Sequence, residues 1–135
     1  MLAAMVLGAD AVQVGSRFVA SEESSAHQAF KQLEVDSKEG DTQLTLKELA
    51  PVRLIKNKFY NDVQELYKTA PNVDQLQQLL GRARAKKGMF EGDLVEGELE
   101  IGQIAGLIHD IKPVNKIVED IMDEFEEAKN ISINF

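Results

Sequence analysis

The chain has no cysteine, no tryptophan, two histidines and three prolines among its 135 residues. Without cysteine there is no disulfide, no thiolate chemistry and no Cys-ligated zinc site. The two histidines, His27 and His109, stand beside no nucleophile in sequence. His27 reads as structural or exposed, and His109-Asp110 ahead of Pro113 reads as a solvated helix end. No HExxH, EF-hand, Walker or GxGxxG spacing occurs, so no metal site is expected. Long apolar runs are lacking too. The opening stretch Met1–Leu7 is interrupted by Gly8-Ala9-Asp10, far short of the ~20 residues a membrane span needs. It also lacks the basic flank and longer core of a signal peptide, which makes a cytoplasmic setting the default. Positive charge is scarce: the net charge is −8, with acid concentrated over 91–100 and 119–127. Nucleic acid and anionic membrane both require basic surfaces, and neither is expected as a partner. The exception, Arg82-Ala83-Arg84-Ala85-Lys86-Lys87, reads as a solvated helix face.

What is present has the composition of one ordinary globular domain, 44% apolar and 28% charged. Met1–Leu7 nevertheless carries none of the Ser, Thr, Asp or Asn caps with which helices start. The chain is therefore expected to be the C-terminal part of a longer protein. Residues 11–15 read as a buried strand, and one parallel strand cannot cover both faces by itself. Taken alone, residues 1–18 should be poorly packed or paired with another chain.

Further on, Ser25 with Gln28 predicts a capping box opening a helix whose apolar face is Ala26, Ala29, Phe30 and Leu33. Thr42–Thr45 and Val52–Ile55, flanking Pro51, predict a loose hairpin. Phe59, Val63, Leu66 and Tyr67 mark a helix that Pro71 stops; Val73, Leu76, Leu79 and Leu80 mark another, capped by Gly81. Residues 87–93 read as a loop. Ile101, Ile104, Ala105 and Ile108 are spaced as one helix face beside Gly102 and Gly106. Two glycines there weaken a helix by about 1 kcal/mol each relative to Ala, so something must approach the backbone closely. Packing answers this as well as a ligand does, and Gln103 between them is either a ligand contact or simply exposed. Pro113 opens a last helix with the stripe Val114, Ile117, Val118, Ile121, Met122 and Phe125 opposite an acidic face.

The segment Gly8-Ala9-Asp10-Ala11-Val12-Gln13-Val14-Gly15-Ser16-Arg17-Phe18 is the most informative. It reads as a helix end, a turn, a strand, and a Gly-Ser step at the strand's C-terminal tip, where ligands of parallel α/β proteins sit. A Gly-Ser step either makes a turn and a cap or lets N–H groups and a hydroxyl meet an anion. The longer string Leu7–His27 resembles the segment around the last barrel strand of the nitronate monooxygenase family, which includes flavin-containing enoyl-acyl-carrier-protein reductases. Pro51-Val52-Arg53-Leu54-Ile55-Lys56-Asn57 and Gly102-Gln103-Ile104-Ala105-Gly106-Leu107-Ile108 fit as well, so the likeness runs nearly end to end. Ser16 departs from the family's more usual Thr but keeps the hydroxyl.

The resemblance implies an α/β fold: the C-terminal portion of a (β/α)8 barrel with a mostly helical inserted substrate domain. Residues 1–18 would supply the end of helix 7 and strand 8, residues 19–98 the lid-like substrate domain, and residues 99–135 the return to the barrel and its closing helix. It implies FMN as cofactor, with Gln13, Val14, Gly15 and Ser16 contacting its phosphate, and no catalytic residue within these 135 positions. The implied partners are a small molecule (an alkyl nitronate oxidised with O2, or an enoyl thioester or quinone reduced with NAD(P)H) and a homo-oligomer is compatible with it. A non-catalytic phosphate-binding module or a helical interaction domain are the readings from other classes.

Overall fold

The computed structural model describes residues 1–131, with six α-helices and one antiparallel hairpin among them. Helix α1 (Leu2–Val6) has no side-chain cap and buries no residue. The expected strand over 11–15 is not formed: residues 11–15 join no ladder among the described residues and are exposed throughout. Val12 and Val14 are 39% and 41% exposed. The reason is the one anticipated for residues 1–18. A parallel strand needs neighbours along its edges, and the described residues supply none.

Helix α2 (Ser16–Val19) is a single turn. Helix α3 (Gln28–Asp36) begins two residues later than a cap at Ser25 predicts. Its cap is His27, whose imidazole Nδ1 accepts from Ala29 N–H at 3.1 Å while its own backbone N–H donates to Met89 O at 2.8 Å. Histidine is not among the residues whose side chains ordinarily signal a cap, which hides this start from the sequence.

The hairpin forms as expected. Strands β1 (Thr42–Thr45) and β2 (Val52–Ile55) pair antiparallel from Thr42↔Ile55 to Thr45↔Val52. The other edge of β2 is covered by residues 99–101: Ile55 N–H donates to Leu99 O and Ile101 N–H to Arg53 O. Helix α4 (Lys58–Tyr67) starts at Asn57, which accepts from Tyr60 N–H, and α5 (Val73–Leu80) starts at Asn72 in a full capping box with Gln75. Gly81 ends α5 at φ +67. A π-helical turn follows at 86–90, and residues 103–107 form a 3-10 turn instead of the expected α-helix. Within it Ala105 is buried and Ile104 is 49% exposed, because three residues per turn do not align the four apolar positions. Helix α6 (Val114–Lys129) starts after Pro113.

Two apolar clusters form the core. Leu46, Leu54, Phe59, Tyr60, Val63 and Leu76 join the hairpin to α4 and α5, and Phe30, Ile55, Leu99, Ile101 and Ala105 join α3 to the other face. The stripe on α6 is only partly covered: Ile117 is buried, while Val118 and Met122 are 45% and 43% exposed. Between α6, α1 and the 12–14 segment lies an open cleft of about 700 Å³, lined by Leu2, Val12, Val14, Leu107, Ile121 and Phe125 among others. No helix among the described residues is long and apolar enough to cross a membrane.

Candidate functional site

Gly15 and Ser16 stand at the mouth of α2, where the first N–H groups of a helix have no partner within it. Among the described residues the N–H groups of Gly15, Ser16 and Arg17 meet no acceptor. Gly15 has φ −107 and ψ −74, which any residue can adopt, and a Cβ built there touches nothing within 4 Å. Neither backbone strain nor a described neighbour calls for glycine at this position.

The Ser16 hydroxyl is held from the far end of the chain. Gly102 N–H donates to Ser16 Oγ at 2.9 Å, which leaves the hydroxyl proton free to be donated elsewhere. A Cβ on Gly102 would lie 2.5 Å from that oxygen, and one on Gly106 would lie 3.0 Å from the backbone of Lys38 and Glu39. Close approach, read from the glycine spacing, is thus met by packing at both positions. Gln103 is exposed.

Gln13, Val14, Gly15 and Ser16 form one exposed-to-half-exposed stretch, of which Val14 faces the cleft, as does Arg17. Arg17 is committed to structure. Its guanidinium donates to Asp110 O at 3.0 Å, to Asp110 Oδ1 at 2.5 Å and to Ala20 O at 3.3 Å, tying α2 to the segment before α6. Val114 N–H, at the start of α6, donates to Glu23 Oε2 at 2.9 Å.

Two buried carboxyls escape the sequence reading. Glu34 is fully buried and neither of its oxygens has a hydrogen-bond partner. Burial pushes its pKa up to about 7, against the lowering effect of Arg17. Glu98, also buried, is raised to about 7 by burial and by the Glu100 carboxylate, against Arg84. Glu34 sits in an amphipathic helix pattern and Glu98 in an acidic run, so nothing in sequence marks either as buried.

The basic island is solvated at Arg82, Lys86 and Lys87, as its composition suggests, but not at Arg84. Arg84 donates from Nε to Leu80 O at 2.8 Å, from Nη2 to Leu79 O at 3.0 Å and from Nη1 to Glu96 O at 2.7 Å. Its guanidinium lies 4.5 Å from the Phe59 ring centroid, so it closes the C-terminal end of α5 over the core. Lys86 and Lys87 pair with Glu91 and Asp93. His27 is a helix cap and His109 is exposed. Among the described residues no group of three His, Asp or Glu side chains gathers as a metal site.

The nitronate monooxygenase family model matches residues 1–124. The chain belongs to the nitronate monooxygenase family. It is 31% identical over 131 residues to a probable nitronate monooxygenase of Staphylococcus saprophyticus, covering 96% of this chain and 36% of that protein. A probable nitronate monooxygenase of Bacillus subtilis is 32% identical, with 90% of this chain and 35% of the relative covered. Among solved structures, FabK from Thermotoga maritima superposes with a TM-score of 0.84 at 42% identity, over 93% of this chain and 40% of that one. An M276A mutant of the same protein gives 0.76 at 39% identity. The chain therefore spans between about a third and two fifths of the length of these nitronate monooxygenase relatives and FabK structures.

Proposed function

We propose that this chain is the C-terminal portion of an FMN-dependent oxidoreductase of the nitronate monooxygenase type. Residues 1–18 complete the barrel, 19–98 form the substrate lid and 99–135 return to the barrel. Family membership over residues 1–124 carries the reading. The local fit supports it. A phosphate at Gln13, Val14, Gly15 and Ser16 meets unpaired N–H groups, a free hydroxyl proton and the open space beside Gly15.

When bound, the flavin supplies the redox chemistry. The chain's own residues position and shield it. Gly15 would leave room for the anion, the Ser16 hydroxyl would donate a hydrogen bond to it, and Gly102 N–H holds that hydroxyl from behind. The clusters around Phe59 and Phe30 keep the lid ordered, and a closed lid excludes water and sets which molecule reaches the flavin. No residue of this chain is assigned a proton transfer in the reaction.

The test is flavin content of the full-length protein, read by visible absorbance after desalting. Gly15→Leu fills the space and loses most of the flavin. Ser16→Ala weakens retention by about 1–2 kcal/mol, the scale of a hydrogen bond to a charged group. Full occupancy in Gly15→Leu would falsify the site. A second reading is reduction of an enoyl thioester or quinone with NAD(P)H. It is favoured by the higher identity to FabK (42%) than to the two probable nitronate monooxygenases (31% and 32%). Oxygen uptake with an alkyl nitronate, set against NAD(P)H oxidation with an enoyl thioester, separates the two.

A further inference from the structure

Two segments, 16–23 and 102–114, connect the body of the molecule to α1 and α6, and they are bonded to one another along their length. Ser21 and Lys112 form a parallel bridge, and Glu22 N–H donates to Lys112 O at 3.0 Å. Ahead of that bridge, Gly102 N–H holds Ser16 Oγ at 2.9 Å and the Arg17 guanidinium donates to Asp110 O at 3.0 Å. Beyond it, Val114 N–H donates to Glu23 Oε2 at 2.9 Å. The partners follow the same order on both segments, so the ties run side by side from end to end.

A buried cation fastens this crossing to α3. Lys31 is 4% exposed, and its ammonium donates to Ser21 O at 2.6 Å and Glu22 O at 3.2 Å. Lysine is rarely so buried unless its protons are taken up, and both acceptors here belong to the strand paired with Lys112. Ser21 is itself buried, and its hydroxyl donates to Phe18 O at 2.8 Å. On the return segment, Gly106 packs on the backbone of Lys38 and Glu39, just after α3. A hinge needs a few residues free to absorb a change in φ and ψ. Here hydrogen bonds cross between the two segments before, at and after the bridge.

We propose that segments 16–23 and 102–114 form a rigid two-stranded strap, pinned to α3 by Lys31, so that residues 24–101 and α6 move as one body. The strap itself depends on no cofactor. Its consequence for the site rests on the reading of residues 19–98 as a lid. That lid is then a standing wall, and a substrate enters past its side chains and not through a swing of the whole unit.

Spin labels on Asp74→Cys of α5 and Asp123→Cys of α6, both exposed, read the distance between body and helix in a full-length protein without other cysteine. We expect one distance maximum, moved by less than about 2 Å when FMN is added, with loading read by absorbance in the same sample. Lys31→Met keeps the stem and removes the donors. It should broaden or split the maximum and speed exchange of the Glu22 amide at least about tenfold, with the Ile55 amide unchanged as the core reference. Glu23→Ala, an exposed change, should broaden the maximum to a smaller degree and decides the matter if Lys31→Met does not fold. The strap is overturned by two maxima in the parent or by a shift beyond about 2 Å on FMN loading. It is overturned equally by a folded Lys31→Met protein, or failing that a Glu23→Ala protein, that keeps the parent's distance and width. A protein that takes up no FMN counts against the cofactor reading, and the flavin-free distances still decide the strap.

Discussion

Gly102 and Ser16 lie 86 positions apart and are joined by one hydrogen bond, 2.9 Å from backbone N–H to Oγ. The contact is close enough that a Cβ on Gly102 would lie 2.5 Å from the same oxygen. The return segment after β2 is thus fitted to the side chain at the proposed phosphate position. That fit explains a glycine at 102 without appeal to an unusual backbone angle, since its φ is −71.

Gly102→Ala should therefore destabilise by about 1–3 kcal/mol, the usual range for added bulk in a packed place, read as a lower urea midpoint at unchanged slope. Removing the obstructing oxygen should recover part of this. In the double variant with Ser16→Ala the losses should sum to less than the two singles, by about 0.5 kcal/mol or more. Strict additivity would show that the two residues do not press on one another.

Glu34 makes stability depend on pH with a definite sign. Its pKa rises from the ordinary 4.5 to about 7 in the fold, so the folded state holds the extra proton between those values. Stability is complete below the lower value, falls as pH rises through the interval, and stays reduced above about 7. Glu34→Gln should then match the wild type near pH 4.5 and exceed it at pH 8 by at most about 3 kcal/mol. Urea midpoints at the two pH values decide it. Equal differences at both would show that Glu34 is not titrating in the folded protein.

How much of this is legible in sequence depends on where each element finds its partners. The hairpin, α4 and α5 follow from periodicity and punctuation such as Pro71 and Gly81, because their apolar faces are covered by residues nearby in the chain, and α6 follows from Pro113 and its own stripe although that stripe is only partly covered. The strand over 11–15 does not, because its pattern describes burial that the described residues do not provide. Residues 103–107 fail as an α-helix for a different reason. Gly102 is held in extended conformation by Ser16 and Gly106 is packed on the backbone of Lys38 and Glu39, two fixed points that no local spacing reveals. At the candidate site, the Gly-Ser step is visible locally. Its tie to Gly102, the clasp of Arg17 on Asp110 and the burial of Glu34 are all made by residues distant in sequence or unmarked in type.

Arg84 offers a test of the basic island. Its three donors meet carbonyls of Leu79, Leu80 and Glu96, and its plane covers Phe59. Lysine keeps the charge but cannot present a planar fork. Arg84→Lys should cost about 1–3 kcal/mol, nearly as much as Arg84→Ala, with faster amide exchange at the end of α5. A lysine variant as stable as the parent would mean that charge alone matters here.

The last prediction turns on a single atom. Asn57 caps α4 by accepting from Tyr60 N–H at 2.9 Å, and its amide nitrogen donates to Leu94 O at 3.0 Å and Gly97 O at 2.8 Å. One side chain thus starts a helix and anchors the 94–97 loop beneath it. Aspartate is as good a helix cap as asparagine, so by capping alone Asn57→Asp is neutral. By the amide contacts it is not, because an oxygen replaces the donor opposite two carbonyls in a half-buried place. Repulsion and two unpaired acceptors should cost about 2–4 kcal/mol, more than Asn57→Ala, which leaves the carbonyls unpaired but removes the repulsion. Thermal midpoints of the two variants at neutral pH rank them. If aspartate proves the milder change, the capping role outweighs the anchor and the 94–97 loop is held by other contacts.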